Sequence, residues 1–116
     1  MKFEKWTVWL ANLDPVIGSE QGKTRPVIII SENQINDLLS VVNVLPITSR
    51  KKNREIYPNE ALLPEKYAGL KKESIVLCYQ IRTLDKKRLI KLYGKIKETS
   101  LQKEILDALS FQLGIE

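Results

Sequence analysis

Histidine is absent from this chain of 116 residues, and cysteine occurs once. An intrachain disulfide is therefore impossible, a zinc site built from Cys and His is excluded, and any proton transfer must proceed without imidazole. The lone cysteine, Cys78, lies in the apolar run Ile75-Val76-Leu77-Cys78-Tyr79, where a packing role is expected rather than a reactive one. Long hydrophobic runs are missing as well. The longest spans only a few residues, against the roughly 20 that a membrane helix needs, and the N-terminus has no apolar signal core, so the expectation is a cytoplasmic protein with no membrane span. No internal repeat, low-complexity tract or linker interrupts the chain, which predicts a single domain over residues 1–116.

What is present is ordinary in amount and uneven in placement. A hydrophobic fraction of 43% and a charged fraction of 28% are those of a folded globular protein and argue against disorder. Nineteen Lys and Arg residues against fourteen Asp and Glu give a net charge of +5, which favours a polyanionic partner. The basic residues gather at Arg50-Lys51-Lys52-Asn53-Arg54, at Lys71-Lys72 and at Lys86-Lys87-Arg88, all in segments that read as connections between strands.

The apolar pattern is mostly that of short strands. Trp6 to Leu13 reads as a first strand closed by Asp14-Pro15, Pro26 to Ser31 as a second, and Val41 to Leu45 as a third that ends at Pro46. Glu32 to Asp37 reads as a polar connection, Glu55 to Tyr57 as a short extended piece, and Leu63 to Gly69 as one helical turn. Ser74 to Tyr79 is apolar on both faces and should be the most buried strand, prolonged through Leu84; Lys91 to Lys97 makes a last strand interrupted at Gly94. Only the C-terminus is helical, with Thr99 and Gln102 spaced as a capping box, Leu101, Ile105, Ala108 and Leu109 on one stripe, and Gly114 as the stop. The fold class predicted is mainly β, an antiparallel barrel of the small SH3-like kind with a C-terminal helix.

The stretch Gly18 to Ile30 organises the rest. Turn-forming glycines and polar side chains lead through Lys23 and Arg25 into a β-branched apolar run, so Arg25 stands where a loop enters a rigid strand. Pro26 restricts Arg25 to extended backbone geometry. A guanidinium in that position is held by its neighbours while still reaching a ligand.

Leu13-Asp14-Pro15, Gly18-Ser19-Glu20-Gln21-Gly22 with Arg25-Pro26-Val27, Pro46-Ile47-Thr48-Ser49 and Gln80-Ile81-Arg82-Thr83 together resemble, in order and spacing, the successive motifs of MazF/PemK-type toxins, the endoribonucleases of bacterial toxin–antitoxin pairs. The resemblance implies an SH3-like barrel assembled as a two-fold homodimer, with no cofactor and no metal. It implies cleavage of single-stranded RNA at a short sequence by attack of a ribose 2′-hydroxyl, leaving a cyclic phosphate and a 5′-hydroxyl, and an acidic antitoxin as partner. The positions on which cleavage depends match Arg25 and Thr48. Arg suits stabilisation of the pentavalent phosphorus centre because its fork bonds two oxygens at once, and Thr48 offers a hydroxyl at a strand end. Glu20 is the nearest acid in sequence, either a base for the 2′-hydroxyl or an ion-pair partner that holds Arg25. Ser19, Gln21 and Gln80 are candidates to read base edges, and Arg82 to contact phosphate. One departure is evident: Trp6 and Thr7 stand where the family commonly has a glycine and an acidic residue. The rival reading is a binder without catalysis on the same barrel, such as a gyrase-inhibiting toxin or an RNA-binding module.

Overall fold

The computed structural model describes residues 2–115 as seven antiparallel strands, a short helix and a C-terminal helix. In chain order these are β1 (Thr7–Asn12), β2 (Thr24–Ile29), α1 (Asn33–Leu38), β3 (Val41–Ser49), β4 (Glu60–Leu63), β5 (Ser74–Leu77), β6 (Arg82–Asp85), β7 (Leu89–Lys95) and α2 (Thr99–Leu113). Single 3-10 turns at Cys78–Gln80 and Lys86–Arg88 precede β6 and β7. The mainly-β class with one terminal helix is as the sequence predicts.

The strand order is β4-β5-β3-β2-β1-β7, with β6 beside β3 off that path. β3 is the hub: Val41–Val44 pairs β6, Val44–Pro46 pairs β2 and Ile47–Ser49 pairs β5, so the sheet turns about this one strand. Period-two alternation then supplies two cores. Val8, Ile28, Leu45 and Ile47 face α2 with Ile105 and Ala108, while Trp9, Val27, Ile29, Val42 and Val44 face the other side with Leu84 and Leu89. Each strand therefore buries both faces, which accounts for the near-continuous apolar runs at Pro26 to Ile30 and Ser74 to Leu77. Among the described residues no helix is long and apolar enough to cross a membrane.

Local departures have identifiable causes. Glu32 to Asp37 is not merely a connection, since Asn33–Leu38 turns as α1 around the buried Asn36, whose amide donates to the Phe3 and Ser31 carbonyls. β3 does not stop at Pro46, because that proline occupies the last rung with β2, where a missing N–H ends a ladder that was ending anyway. The extended piece expected near Glu55 is absent and β4 forms five residues later. Leu63 to Gly69 is no helical turn, since Lys66 and Ala68 have left-handed backbones at φ 55° and 52°. The 3-10 turn at Cys78–Gln80 splits the expected long strand in two and lets β6 pair a different part of β3 from β5. β7 runs through Gly94 without a break; the missing side chain is needed there, as a Cβ would sit 2.7 Å from the Ala68 carbonyl carbon.

The capping box does not form. Glu98 precedes the helix without a side-chain capping bond, and Gln102 uses its amide to donate to the Ile96 carbonyl at 2.8 Å. The Gly114 stop is as expected, left-handed at φ 69°. At the entry to β1, Trp6 adopts φ 74°, the glycine-type conformation, held by its N–H on Ile29 O at 2.8 Å and by burial of its indole. Thr7 takes the indole N–H of Trp9 on its hydroxyl at 2.9 Å. The substituted pair thus keeps the backbone turn and satisfies its own polar groups.

Cys78 is fully buried, as its surroundings predict, and burial with the nearby Glu60 charge pushes its thiol up to about 12. The native protein should therefore resist alkylation by iodoacetamide at pH 8, whereas protein in denaturant reacts within minutes. Mass spectrometry of the two samples checks this, and equal labelling would refute the packing role.

Candidate active site

β2 and β3 pair as Val27↔Pro46, Ile28↔Leu45 and Ile29↔Val44. Continuing that register by two residues sets Arg25 opposite Thr48. Alternation puts both on one face, since Arg25 has the parity of Val27 and Ile29, and Thr48 that of Val42 and Val44, all four in one core. Two side chains 23 positions apart in sequence thus meet at one end of the sheet, and both line a cavity of about 710 Å³.

The wall of that cavity is one-signed. Arg25, Lys71, Lys72 and Lys91 line it, with the hydroxyls of Thr24, Thr48, Ser49, Ser74 and Tyr93, and no carboxylate does. Among the described residues none of the four cations is in an ion pair. Uncompensated positive charge around hydroxyl donors suits a polyanion with several phosphates, and a concave wall concentrates its field. Arg25 is half-buried, with Nε donating to the Gly22 carbonyl at 3.1 Å; this fixes the plane of the guanidinium and leaves the two terminal nitrogens for a ligand. Gly22 is itself confined, for a Cβ there would lie 2.7 Å from Val16 and 2.8 Å from Asp14 Oδ1.

The loop before Arg25 is tied down from the opposite strand. The Gln80 side chain accepts from Gln21 N at 3.3 Å and donates to Ser19 O at 3.1 Å, so its amide stands in for a ladder partner. Arg82 Nη1 donates to Leu13 O at 3.0 Å, and Arg88 Nη1 to Asn12 O at 3.1 Å and to Asp14 O. Asp14 Oδ1 accepts from Lys23 N at 2.7 Å and closes the base of the loop.

The candidates named from sequence therefore fall into two groups. Arg25 and Thr48 come together. Glu20 does not join them: its Oε1 accepts from Ile17 N at 2.6 Å, it forms no ion pair with Arg25, and it lines a separate cavity with Gln80 and Arg82. Ser19 is exposed and Gln21 half-buried on the loop between the two groups. Sequence reasoning noticed Lys71-Lys72 only as a basic cluster and missed Lys91, Tyr93 and the loop-holding Arg88. The one signal for Lys91 was a cation inside an otherwise apolar strand.

Residues 4–113 match the family described as PemK-like, MazF-like toxin of type II toxin–antitoxin systems. Among solved structures, a crystal form of MazF from Deinococcus radiodurans is 27% identical, with 99% of each chain covered and a TM-score of 0.82. The Mycobacterium tuberculosis toxin MazF-mt6 is 23% identical over 95% of this chain and 98% of its own, with a TM-score of 0.76. An endoribonuclease in complex with its cognate antitoxin, from a mycobacterial species, is 21% identical over 97% of this chain and 96% of its own, with a TM-score of 0.78.

Proposed function

The chain belongs to the PemK-like, MazF-like toxins of type II toxin–antitoxin systems, and from that premise we propose that it is a sequence-specific endoribonuclease acting on single-stranded RNA. The observation that carries the reading is the cavity in which Arg25 and Thr48 converge among three lysines and no carboxylate. A ribose 2′-hydroxyl attacks the adjacent phosphorus, the P–O bond to the next ribose breaks, and the products are a 2′,3′-cyclic phosphate and a 5′-hydroxyl. Charge grows on the non-bridging oxygens as the pentavalent centre forms. The terminal nitrogens of Arg25 bond two of those oxygens, and the Thr48 hydroxyl donates to the same group. Both donors are preorganised, Arg25 by Gly22 O and Thr48 by its place in β3, so little reorganisation accompanies the step.

Lys71, Lys72 and Lys91 neutralise neighbouring phosphates and give affinity that salt weakens. Ser19 and Gln21 stand on the exposed loop beside the site, where splayed bases can be read, and Gln80 and Arg82 hold that loop in its reading position. No metal is needed, because the cationic side chains supply the charge. The same cation-lined cavity fits a stretch of acidic antitoxin, the kind of partner that the mycobacterial relative is seen with, and the active assembly is a homodimer.

The test is cleavage of a long unstructured RNA by purified protein in excess EDTA, with the product ends analysed. Discrete fragments carrying a cyclic phosphate and a 5′-hydroxyl are expected. Intact RNA that is retarded on a gel would instead make the protein a binder, and cleavage that requires added magnesium would remove the metal-free mechanism.

A further inference from the structure

A second cavity, of about 360 Å³, opens where the β1–β2 loop meets the turn after β5, lined by Pro15, Glu20, Tyr79, Gln80, Ile81 and Arg82. Its wall differs in kind from that of the first. Instead of one-signed charge it offers an aromatic ring, one carboxylate and one guanidinium around a single space. The Tyr79 side chain is left 42% exposed there, in a chain whose other tyrosine and tryptophan rings are mostly packed or bonded.

Both charged groups are anchored with binding capacity to spare. Glu20 Oε1 accepts from Ile17 N at 2.6 Å, while Oε2 has no partner among the described residues. Arg82 donates through Nη1 to Leu13 O at 3.0 Å, while Nε and Nη2 have none. Gln80 is fully engaged by Gln21 N and Ser19 O, and shapes the wall without offering a free group. A phosphate would meet repulsion from Glu20, and a small cation would meet Arg82. A flat neutral heterocycle with donors and acceptors on its edge meets neither objection.

We propose that this second cavity is a nucleobase subsite, in which a base splayed from the RNA strand stacks on Tyr79 and presents its edge to Glu20 and Arg82. The proposal rests on the ribonuclease reading above. The loop couples the two cavities: Gly22 O holds Arg25 Nε, and Glu20 precedes Arg25 by only five residues, so the base read here flanks the scissile phosphate. Glu20 is thereby a specificity residue. Because a carboxylate only accepts, the base must turn an amino or imino N–H toward it.

Mapping the cut sites of the wild-type protein on a long RNA defines the preference at each position around the scissile bond. Tyr79→Ala lowers kcat/KM on the preferred sequence about 10-fold, Tyr79→Phe recovers most of that, and Tyr79→Leu replaces Tyr79→Ala if the latter does not fold. Glu20→Gln, whose amide can donate as well as accept, relaxes discrimination about 10-fold at the same single position that loss of the ring relaxes. A loss spread evenly over all sequences, with preferences intact, overturns the subsite and places Glu20 in the chemistry. Relaxation at two unrelated positions overturns it also. Wild-type protein that cuts no RNA removes the ribonuclease reading and the subsite together, whereas wild-type cleavage with unaltered preferences in every variant removes the subsite alone.

Discussion

Arg25→Ala lowers RNA cleavage by about 10² to 10³-fold while leaving the circular dichroism and melting temperature of the protein close to wild type. The rate falls because one side chain supplies both hydrogen bonds to the oxygens on which charge accumulates, and no neighbour has the same reach. Lys71, Lys72 and Lys91 line the same cavity but are flexible point charges without a fork. The fold survives because Arg25 is half-buried at the end of β2 and its bond inside the protein is one contact to Gly22 O. Arg25→Lys should recover only a small part of the rate, since it keeps the charge and loses both the planar fork and the Nε anchor. Single-turnover rates on one short RNA, alongside thermal melts, make the comparison. Cleavage by Arg25→Ala within a few-fold of wild type would remove Arg25 from the chemistry.

That pairing was legible in the sequence because two independent features agree. The motif spacing nominates Arg25 and Thr48, and the period-two alternation of the strands around them puts both on one face. Glu20 illustrates the opposite case. It is nearer to Arg25 in sequence than Thr48 is, yet it faces a different cavity, because the chain reverses at Gly18 (φ 58°) and again at Lys23 (φ 63°) between β1 and β2. Proximity along a loop with two left-handed turns says little about direction.

β1, β2 and α2 were similarly open to reading, each resting on a long periodic signal. The split between β5 and β6 was not, since Ser74 to Leu84 is apolar enough for one strand and only tertiary pairing with two parts of β3 forces the 3-10 turn between them. Lys91 and Arg88 went unnoticed for a related reason. Their partners, a cavity wall and the carbonyls of Asn12 and Asp14, come from elements more than 70 residues away for Arg88 and from several separate loops for Lys91.

Arg54→Ala should destabilise the protein by about 3 kcal/mol, lowering its melting temperature by about 10–15 °C, without touching either cavity that we assign to RNA. The Glu60 carboxylate is wholly buried and accepts from Arg54 Nη1 at 2.8 Å, Arg54 Nη2 at 2.7 Å and Tyr57 N at 3.0 Å. Arg54 also donates to Glu55 O at 2.7 Å and lies 5.3 Å from the centre of the Tyr57 ring, so the pair closes the connection between β3 and β4. Burial by itself pushes the Glu60 carboxyl up; the Arg54 and Tyr57 hydrogen bonds and the Arg54 charge outweigh it and bring the group below its ordinary value of 4.5. A lowered carboxyl stabilises the fold above the unfolded-state value and loses that contribution as pH falls through the folded-state value. Without Arg54 only burial and the Tyr57 N–H remain, and with burial the larger influence the shift reverses, so the variant recovers relative to wild type on acidification. The gap in stability should therefore be widest near pH 7 and narrow below pH ~4.5, where wild-type Glu60 begins to protonate. Replacing both partners, as Arg54→Met with Glu60→Leu, should come within about 1 kcal/mol of wild type, because no buried charge is then left alone. Urea titrations of the three proteins at pH 7 and pH 4 measure each difference, and a gap for Arg54→Ala that is small at pH 7 or grows toward acid would contradict the role given to this pair.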